Sequence, residues 1–338
     1  MRVGVLSAAH VHAPWYLAAL AAMPDVELAG VWDADPAITA ERAATAGARA
    51  WGDADALLTV VDAVVVAGVN RDHRALAERA AAVGRHVLCE KPLATTVADA
   101  RAIVDACERA GVKLMTAFPS RFGPVIGALA DALRAGAVGE LVSFEGVNSG
   151  ELPDVHGAWF VDPELAGGGA ITDHVVHLAD LYRWLSGSEV VEVYAVANRI
   201  LQGGFDRVET GGLVTLRLAN GVVGSIDCSW SRPPGYPTWG GLSLEALGTA
   251  GALDVDAFRQ HLDVYATSPG AHAAVRWPFF GSDANGPMLR EFLAAVRDDR
   301  APSITGIDGL RAVEVVAAAY RSLETGQPVA IAEVAAPG

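Results

Sequence analysis

The chain is short of cysteine, of positive charge and of long apolar runs, and each shortage removes a class of function. Three cysteines in 338 residues, Cys89, Cys107 and Cys228, lie far apart and form no CxxC pair. That excludes a disulfide framework and a zinc knuckle, and they read as buried thiols of a cytoplasmic protein. Twenty-five Lys and Arg stand against 40 Asp and Glu, a formal charge of −15. Neither a nucleic-acid backbone nor an anionic membrane surface attracts such a protein. No apolar run reaches the ~18–20 residues of a membrane span. Met1-Arg2 leads straight into Val3-Gly4-Val5-Leu6, without the segments of a secretory leader. Internal repeats and low-complexity linkers are also missing. What is there, 52% hydrophobic and 19% charged residues, is enough for two domains or one large α/β barrel, with a small, neutral or weakly charged ligand as the expected partner.

Residues 2 to 118 alternate β-branched runs with alanine-rich stretches, the pattern of parallel βαβ units in a doubly wound, Rossmann-like half. Strands are expected at Arg2–Leu6, Glu27–Trp32, Ala63–Ala67, His86–Cys89 and Lys113–Thr116. Beyond Pro119 the texture changes to longer alternating strands, which predicts a mostly antiparallel sheet. Its strands are expected at Leu141–Asn148, Val190–Asn198, Gly212–Leu218, Val222–Ser229 and Leu242–Leu247, with a short pair at Ala252–Val255 and Leu262–Ala266. Asn220-Gly221 predicts a type I′ hairpin turn. Helices are expected near Ile171–Leu185, Pro287–Arg297 and Asp308–Glu324, the last stopped by Gly326 and Pro328.

Glycine is missing where it matters most. A dinucleotide-binding loop usually reads GxGxxG, but the turn after the first strand reads Ser7-Ala8-Ala9-His10-Val11-His12. Ser7 and Ala9 are still small, and a loop opening a helix offers N–H groups to phosphate whatever its side chains. Asp33, at the tip of the second strand in VWDADP, stands where an acidic residue takes the ribose hydroxyls of NAD and repels the extra phosphate of NADP. The plain alternative makes Asp33 and Asp35 turn residues before Pro36. His10 and His12 read as a cofactor or substrate contact, as plain structure, or as two metal ligands. A third ligand would come from Asp154, His156, Asp173, His174 or His177, but no spacing links these to the pair, so no metal is expected.

Glu90-Lys91-Pro92 follows the fourth strand, at the carboxyl edge where open α/β sheets bind ligands. The proline holds Lys91 in a non-helical turn with its ammonium available to a substrate. Three glycines, Gly167 to Gly169, precede the helix near 171–185. At 100° per residue Asp173, His177, Asp180 and Trp184 share a stripe, which is either the solvated face or the site of an Asp–His acid–base pair.

These pieces together resemble the Gfo/Idh/MocA family of oxidoreductases. The matching stretches are VWDADP, VGRHVLCEKPLATT, GGGAITDHVVHLADLYRWLSG, LEALGTAGALDVD and GIDGLRAVEVVAAAYRSLETGQPV. The resemblance implies an N-terminal Rossmann domain over 1–118 and, over 119–338, a substrate-binding and oligomerisation domain with an open, mostly antiparallel sheet. It implies NAD(P)-dependent hydride transfer at a secondary hydroxyl or ketone of a sugar, cyclitol or sugar derivative, with NAD preferred here. Lys91, Asp173 and His177 match the family's catalytic lysine, aspartate and histidine. His177 would take the hydroxyl proton, Lys91 would bond that oxygen, and Asp173 would position substrate and His177. VAGVNRDH matches a loop passing near the nicotinamide, so Ser7, Ala9, His10, His12, Asp33, Gly68, Asn70, His73, Glu90 and Lys91 are expected at the cofactor. Arg121, His156, Trp159, His174 and Trp239 are expected around the substrate, and a homodimer or homotetramer is expected. The rival expectations are a non-catalytic sugar- or dinucleotide-binding homologue and a redox-neutral, NAD-dependent glycosidase.

Overall fold

Runs such as Ala63-Val64-Val65-Val66 have no polar face, so they are stable only where helices cover both sides of a sheet. The structure, a computed structural model, describes residues 1–201, 207–261, 264–266, 274–276 and 283–335. Strands β1 (Arg2–Leu6), β2 (Glu27–Trp32), β3 (Ala63–Val66), β4 (His86–Cys89) and β5 (Leu114–Thr116) form a parallel sheet in the order β2-β1-β3-β4-β5. Helices α1 (Ala13–Ala21), α2 (Pro36–Ala46), α3 (Ala54–Val60), α4 (His73–Ala82) and α5 (Val97–Ala110) connect the strands. Asp35 and Thr96 cap the N-termini of α2 and α5, and Gly47 and Gly111 close their C-termini in the left-handed conformation. Strand order reverses on either side of β1, so the loops after β1, β3 and β4 meet at one carboxyl edge.

Helix α6 (Pro124–Arg134) leads into the second sheet. Its strands are β6 (Leu141–Gly150), β7 (Val190–Asn198), β8 (Gly211–Leu218), β9 (Val223–Ser229), β10 (Gly240–Gly248) and β11 (Gly251–Asp256). The order is β11-β10-β6-β9-β8-β7, and only β6 and β9 run parallel. A short helix α7 (Pro163–Ala166) and a π-helical turn, Ile171–Val175, lead into α8 (Val176–Ser186), which packs on the inner face of this sheet. There Tyr182 stacks on Phe144 with ring centroids 4.7 Å apart and donates to Ser225 O at 2.7 Å.

Three expectations are corrected. Only Gly221 of the Asn220-Gly221 pair has positive φ, and Leu218 O accepts from Gly221 N. The loop therefore has three residues with glycine in the left-handed position, and it is not a type I′ turn. Second, β11 pairs with β10, whereas β12 (Val264–Ala266) pairs with β13 (Ala274–Arg276); the start of the strand expected at 262–266 lies outside the described residues. Third, the helix expected at 171–185 opens as a π-turn.

The closing elements return to the first half. Helix α9 (Asn285–Arg297) lies near α1, and α10 (Gly306–Thr325) rests on α5 and β5, where a side chain at Gly306 would run into Leu114 and one at Gly309 into Thr116. A capping box of Thr305 and Asp308 starts α10. Strand β14 (Val329–Ala330) then joins the β7 edge, and α11 (Ile331–Ala335) follows. Helix α10 thus packs on both halves, on α5 and β5 of the first and on α8 and β7 of the second. No described helix is long and apolar enough to cross a membrane.

Candidate active site

Lys91 leaves the carboxyl end of β4 with only 4% of its surface exposed. Its Nζ donates to Asp173 Oδ1 at 2.8 Å and to Asp173 O at 3.3 Å, which leaves a third donor for a ligand. Asp173 Oδ2 accepts from Trp230 Nε1 at 3.2 Å. Burial alone would raise the Asp173 carboxyl, but the Lys91 ammonium and the donated hydrogen bonds outweigh it and hold the group well below the usual carboxylate range. Burial, then the Lys91 charge, lowers His177 far below the ordinary imidazole value, so it is neutral near pH 7, and its Nδ1 has no partner.

The structure therefore brings Lys91, Asp173 and His177 together but does not form the expected Asp173–His177 pair. The physical reason is competition for the carboxylate: Lys91 Nζ takes Oδ1 and Trp230 Nε1 takes Oδ2, so no oxygen of Asp173 is turned to His177. The stripe is not a solvated face either. Asp180 is 1% exposed and pairs with Arg121, which also reaches Asp308. Arg121, expected at the substrate, is committed to that buried network.

The three glycines have a structural cause. Glu209 Oε1, from the segment before β8, accepts from Gly169 N at 3.1 Å, Ile171 N at 3.0 Å and Tyr320 Oη at 2.8 Å. Tyr320, on α10, also bonds Thr172 Oγ1 at 2.9 Å. Gly168, at φ +146°, would place a Cβ 1.9 Å from Tyr320 Oη, and Gly169 would place one 2.1 Å from Glu209 O. Bare backbone is what allows this clamp to seat the turn that carries Asp173. Nothing in the local sequence marks Glu209, Tyr320 or Trp230. The run of three glycines was the available signal, since it demands a close neighbour.

The glycine-free loop keeps some of the glycine conformation. Ser7 stands at φ +71°, donates through Oγ to Asp33 Oδ2 at 2.7 Å, and sits against Gly68, where any Cβ would meet Ser7 Oγ at 2.5 Å. Asp33 also accepts from Ala8 N and Asp35 N and is 7% exposed. Its carboxylate thus ties down the loop and keeps one lone pair on Oδ1. His10 N, His12 N and Ala13 N are used internally and Pro14 has none. Among the described residues the N–H groups of Ala9 and Val11 remain unpaired. His73, expected at the cofactor, is a correction. It is fully buried, with its ring nitrogens toward Pro92 O (3.0 Å) and Gly68 O (3.4 Å), so it braces the turn after Glu90 and cannot reach a ligand.

One pocket is lined by His10, Asn70, Lys91, Phe160, Thr172 and Asp173. Asn70 donates to Ala166 O, while its Oδ1 is buried without a partner. The residues present fit a dinucleotide: two open N–H groups at the loop, an orphaned amide oxygen facing the pocket, and Arg42 Nε beside Ala8 O. Buried nitrogens without a hydrogen bond also occur at His156 Nε2, Trp159 Nε1, Trp239 Nε1 and His174 Nε2, the last 3.7 Å from Asp173 Oδ2. His156 and His174 approach the Trp239 ring at 5.6 and 6.3 Å, and Trp159 approaches His10 at 5.8 Å.

Residues 1–118 match the GFO/IDH/MocA oxidoreductase family, NAD-binding Rossmann fold, and residues 126–254 match the GFO/IDH/MocA C-terminal domain. D-apiose dehydrogenase of Paraburkholderia graminis is 31% identical over 96% of this chain and 87% of its own length. Inositol 2-dehydrogenase of Rhizobium meliloti is 30% identical over 98% of this chain and 99% of its own. Among solved structures, GenD2 from gentamicin A biosynthesis, in complex with NAD, is similar at a TM-score of 0.87 and 29% identity, covering 98% of this chain and 96% of that one.

Proposed function

This chain belongs to the GFO/IDH/MocA oxidoreductase family, and from that premise we propose that it oxidises a secondary hydroxyl of a sugar, cyclitol or sugar derivative, or reduces the matching ketone, with NAD as cofactor. The observation that carries the reading is the buried Lys91–Asp173 pair at 2.8 Å beside a neutral His177 with an unpartnered nitrogen.

Bound NAD supplies the acceptor for the hydride that leaves the carbinol carbon. Asp173, held anionic, fixes the Lys91 ammonium, whose free N–H bonds the substrate oxygen and stabilises negative charge growing there. His177 is neutral and so accepts the hydroxyl proton; in the reverse direction it returns it. The open N–H groups of Ala9 and Val11 would bond the pyrophosphate, and Asn70 Oδ1, which has no partner, would accept from a ligand N–H or O–H. Asp33 at the tip of β2 disfavours a ribose phosphate, which supports NAD over NADP. His156, Trp159, His174 and Trp239 supply nitrogens for the remaining substrate hydroxyls.

The division at 118/119 into a cofactor and a substrate domain belongs to this reading. So does pairing of copies through the outer face of the second sheet, which exposes Tyr194, Val196, Leu213 and Val223. The three buried free cysteines suit a reducing cytoplasm.

The test is NADH formation across a panel of sugars and cyclitols, with Lys91→Ala and His177→Ala. Turnover in the wild type with a loss of about 100-fold or more in folded variants is the expected outcome. Variants that turn over normally would remove these roles.

A further inference from the structure

The carboxylate–imidazole pair that Asp173 and His177 do not make is built instead between the loop after β1 and the end of β4. His12 Nδ1 lies 3.0 Å from Glu90 Oε1, and the Tyr16 hydroxyl donates to Glu90 Oε2. Glu90 and Tyr16 are both fully buried. Burial would raise the Glu90 carboxyl, but the neighbouring imidazoles of His12 and His10, the His12 hydrogen bond and the Lys91 ammonium pull it well below the usual range, so it stays ionised. An ionised carboxylate only accepts, which puts a His12 proton on Nδ1 and makes Nε2 the nitrogen that exchanges a proton with its surroundings.

His10 has the opposite polarity. Its Nδ1 accepts from His12 N at 3.1 Å, so its proton sits on Nε2. That arrangement also argues against a metal. His10, His12 and Glu90 bring ligand atoms within 4.8 Å of one another, yet the His10 Nδ1 lone pair is already used and Nε2 carries the proton. Both oxygens of Glu90 are likewise engaged.

Position gives the His12 base its use. Its ring is 4.5 Å from His10, which lines the pocket with Lys91 and Asp173, and it stacks at 4.9 Å on Trp15, which is 52% exposed. His12 itself is 13% exposed, between a sealed carboxylate and open solvent.

We propose that His12, held by the Glu90 carboxylate that Tyr16 anchors, relays protons between the active site and bulk water. The relay rests on the dehydrogenase reading. Oxidation of the carbinol sends a hydride to NAD and leaves the hydroxyl proton on His177. That proton passes to His12 Nε2, where the Glu90 carboxylate stabilises the imidazolium, and His12 releases it to water. One alcohol and NAD+ give one ketone, NADH and one proton, and reduction runs the relay inward.

The test combines rate and spectroscopy on the full chain. His12→Ala is expected to lower kcat about tenfold or more, to leave NAD affinity by calorimetry within about threefold, and to recover kcat as imidazole is added at constant ionic strength. Glu90→Gln is expected to lower kcat with His12 in place, and to abolish a downfield imidazole N–H proton resonance that His12→Ala also removes. Unchanged kcat in folded His12→Ala, a loss that imidazole does not restore, or no such resonance in the wild type would each overturn the relay alone. Stoichiometric divalent metal in the wild type, absent from His12→Ala, would overturn it in favour of a metal centre. A wild type that binds NAD but oxidises nothing in the panel would instead overturn the dehydrogenase reading, and the relay with it.

Discussion

Glu209→Ala tests whether the turn that carries Asp173 is held from outside its own helix. The substitution removes one oxygen that accepts from Gly169 N, Ile171 N and Tyr320 Oη at 2.8 to 3.1 Å. Two of those donors keep a partner, since Gly169 N is also 3.1 Å from Tyr320 Oη and that hydroxyl is 2.9 Å from Thr172 Oγ1. Ile171 N is left unpaired in a fully buried position, at a cost of about 1–3 kcal/mol. The void left by the side chain adds to this, while relief of the buried carboxyl, which burial raises above its ordinary value, subtracts from it. A net loss of about 2–4 kcal/mol follows. Glu209→Gln keeps an acceptor at the same place and should lose about 1 kcal/mol. Urea unfolding measures both. Because the turn seats Asp173 against Lys91, kcat should fall in the order wild type, Gln, Ala, with NAD affinity little changed. An alanine variant within about 0.5 kcal/mol of wild type, or a glutamine variant as damaged as alanine, would refute the clamp.

Ser7→Gly should tighten NAD binding by about fivefold, or about 1 kcal/mol. The glycine relieves a non-glycine residue at φ +71° and releases Asp33 Oδ2 from Ser7 Oγ. Calorimetry with equal or weaker binding would discard that account. Stability should also fall in mild acid, because His10, His73, His174 and His177 all have imidazole values lowered first by burial. Below about 6.5 the unfolded chain binds protons that the folded chain refuses, so stability is full above that pH and is lost as pH falls through it, at a ceiling of about 5 kcal/mol per pH unit. Asp180, raised to about 6 by burial, acts in the opposite direction. The histidine effect is therefore clearest near pH 6–6.5. Denaturant midpoints that stay flat across that interval would contradict the buried neutral histidines.

What the sequence discloses is what local physics decides. Uninterrupted Val and Ala runs can only be central strands, and the parallel strands of the first sheet fall within a residue of their expected bounds. Lys91 was legible from its place after β4. It had a second signal in composition, being one of only two lysines among 25 basic residues. What stayed hidden depends on partners distant in the chain. Helical spacing could not reveal a π-turn that Glu209, about 40 residues onward, and Tyr320, about 150 onward, hold in place. Arg121 looked available because its partners Asp180 and Asp308 lie 59 and 187 positions away. His73 looked like a ligand contact for the same reason, since the carbonyls it faces belong to a turn that only the folded sheet brings near.

The loss of the glycine fingerprint is then less a loss of the loop than an exchange of its parts. The first glycine's backbone is preserved by Ser7 at positive φ with Asp33 as its anchor, and Ala9 remains small enough to leave its own N–H open. The change falls on the third position. There His12 N–H turns into the His10 ring instead of toward a phosphate, so the helix end offers fewer donors. In return the loop gains two imidazoles, His10 lining the pocket and His12 paired to Glu90, in a place where glycine has no side chain. Such an exchange is useful only if the reaction moves a proton as well as an anion-bearing cofactor. Hydride transfer from an alcohol does so at every turnover, and Lys91 and Asp173 line the same pocket as His10.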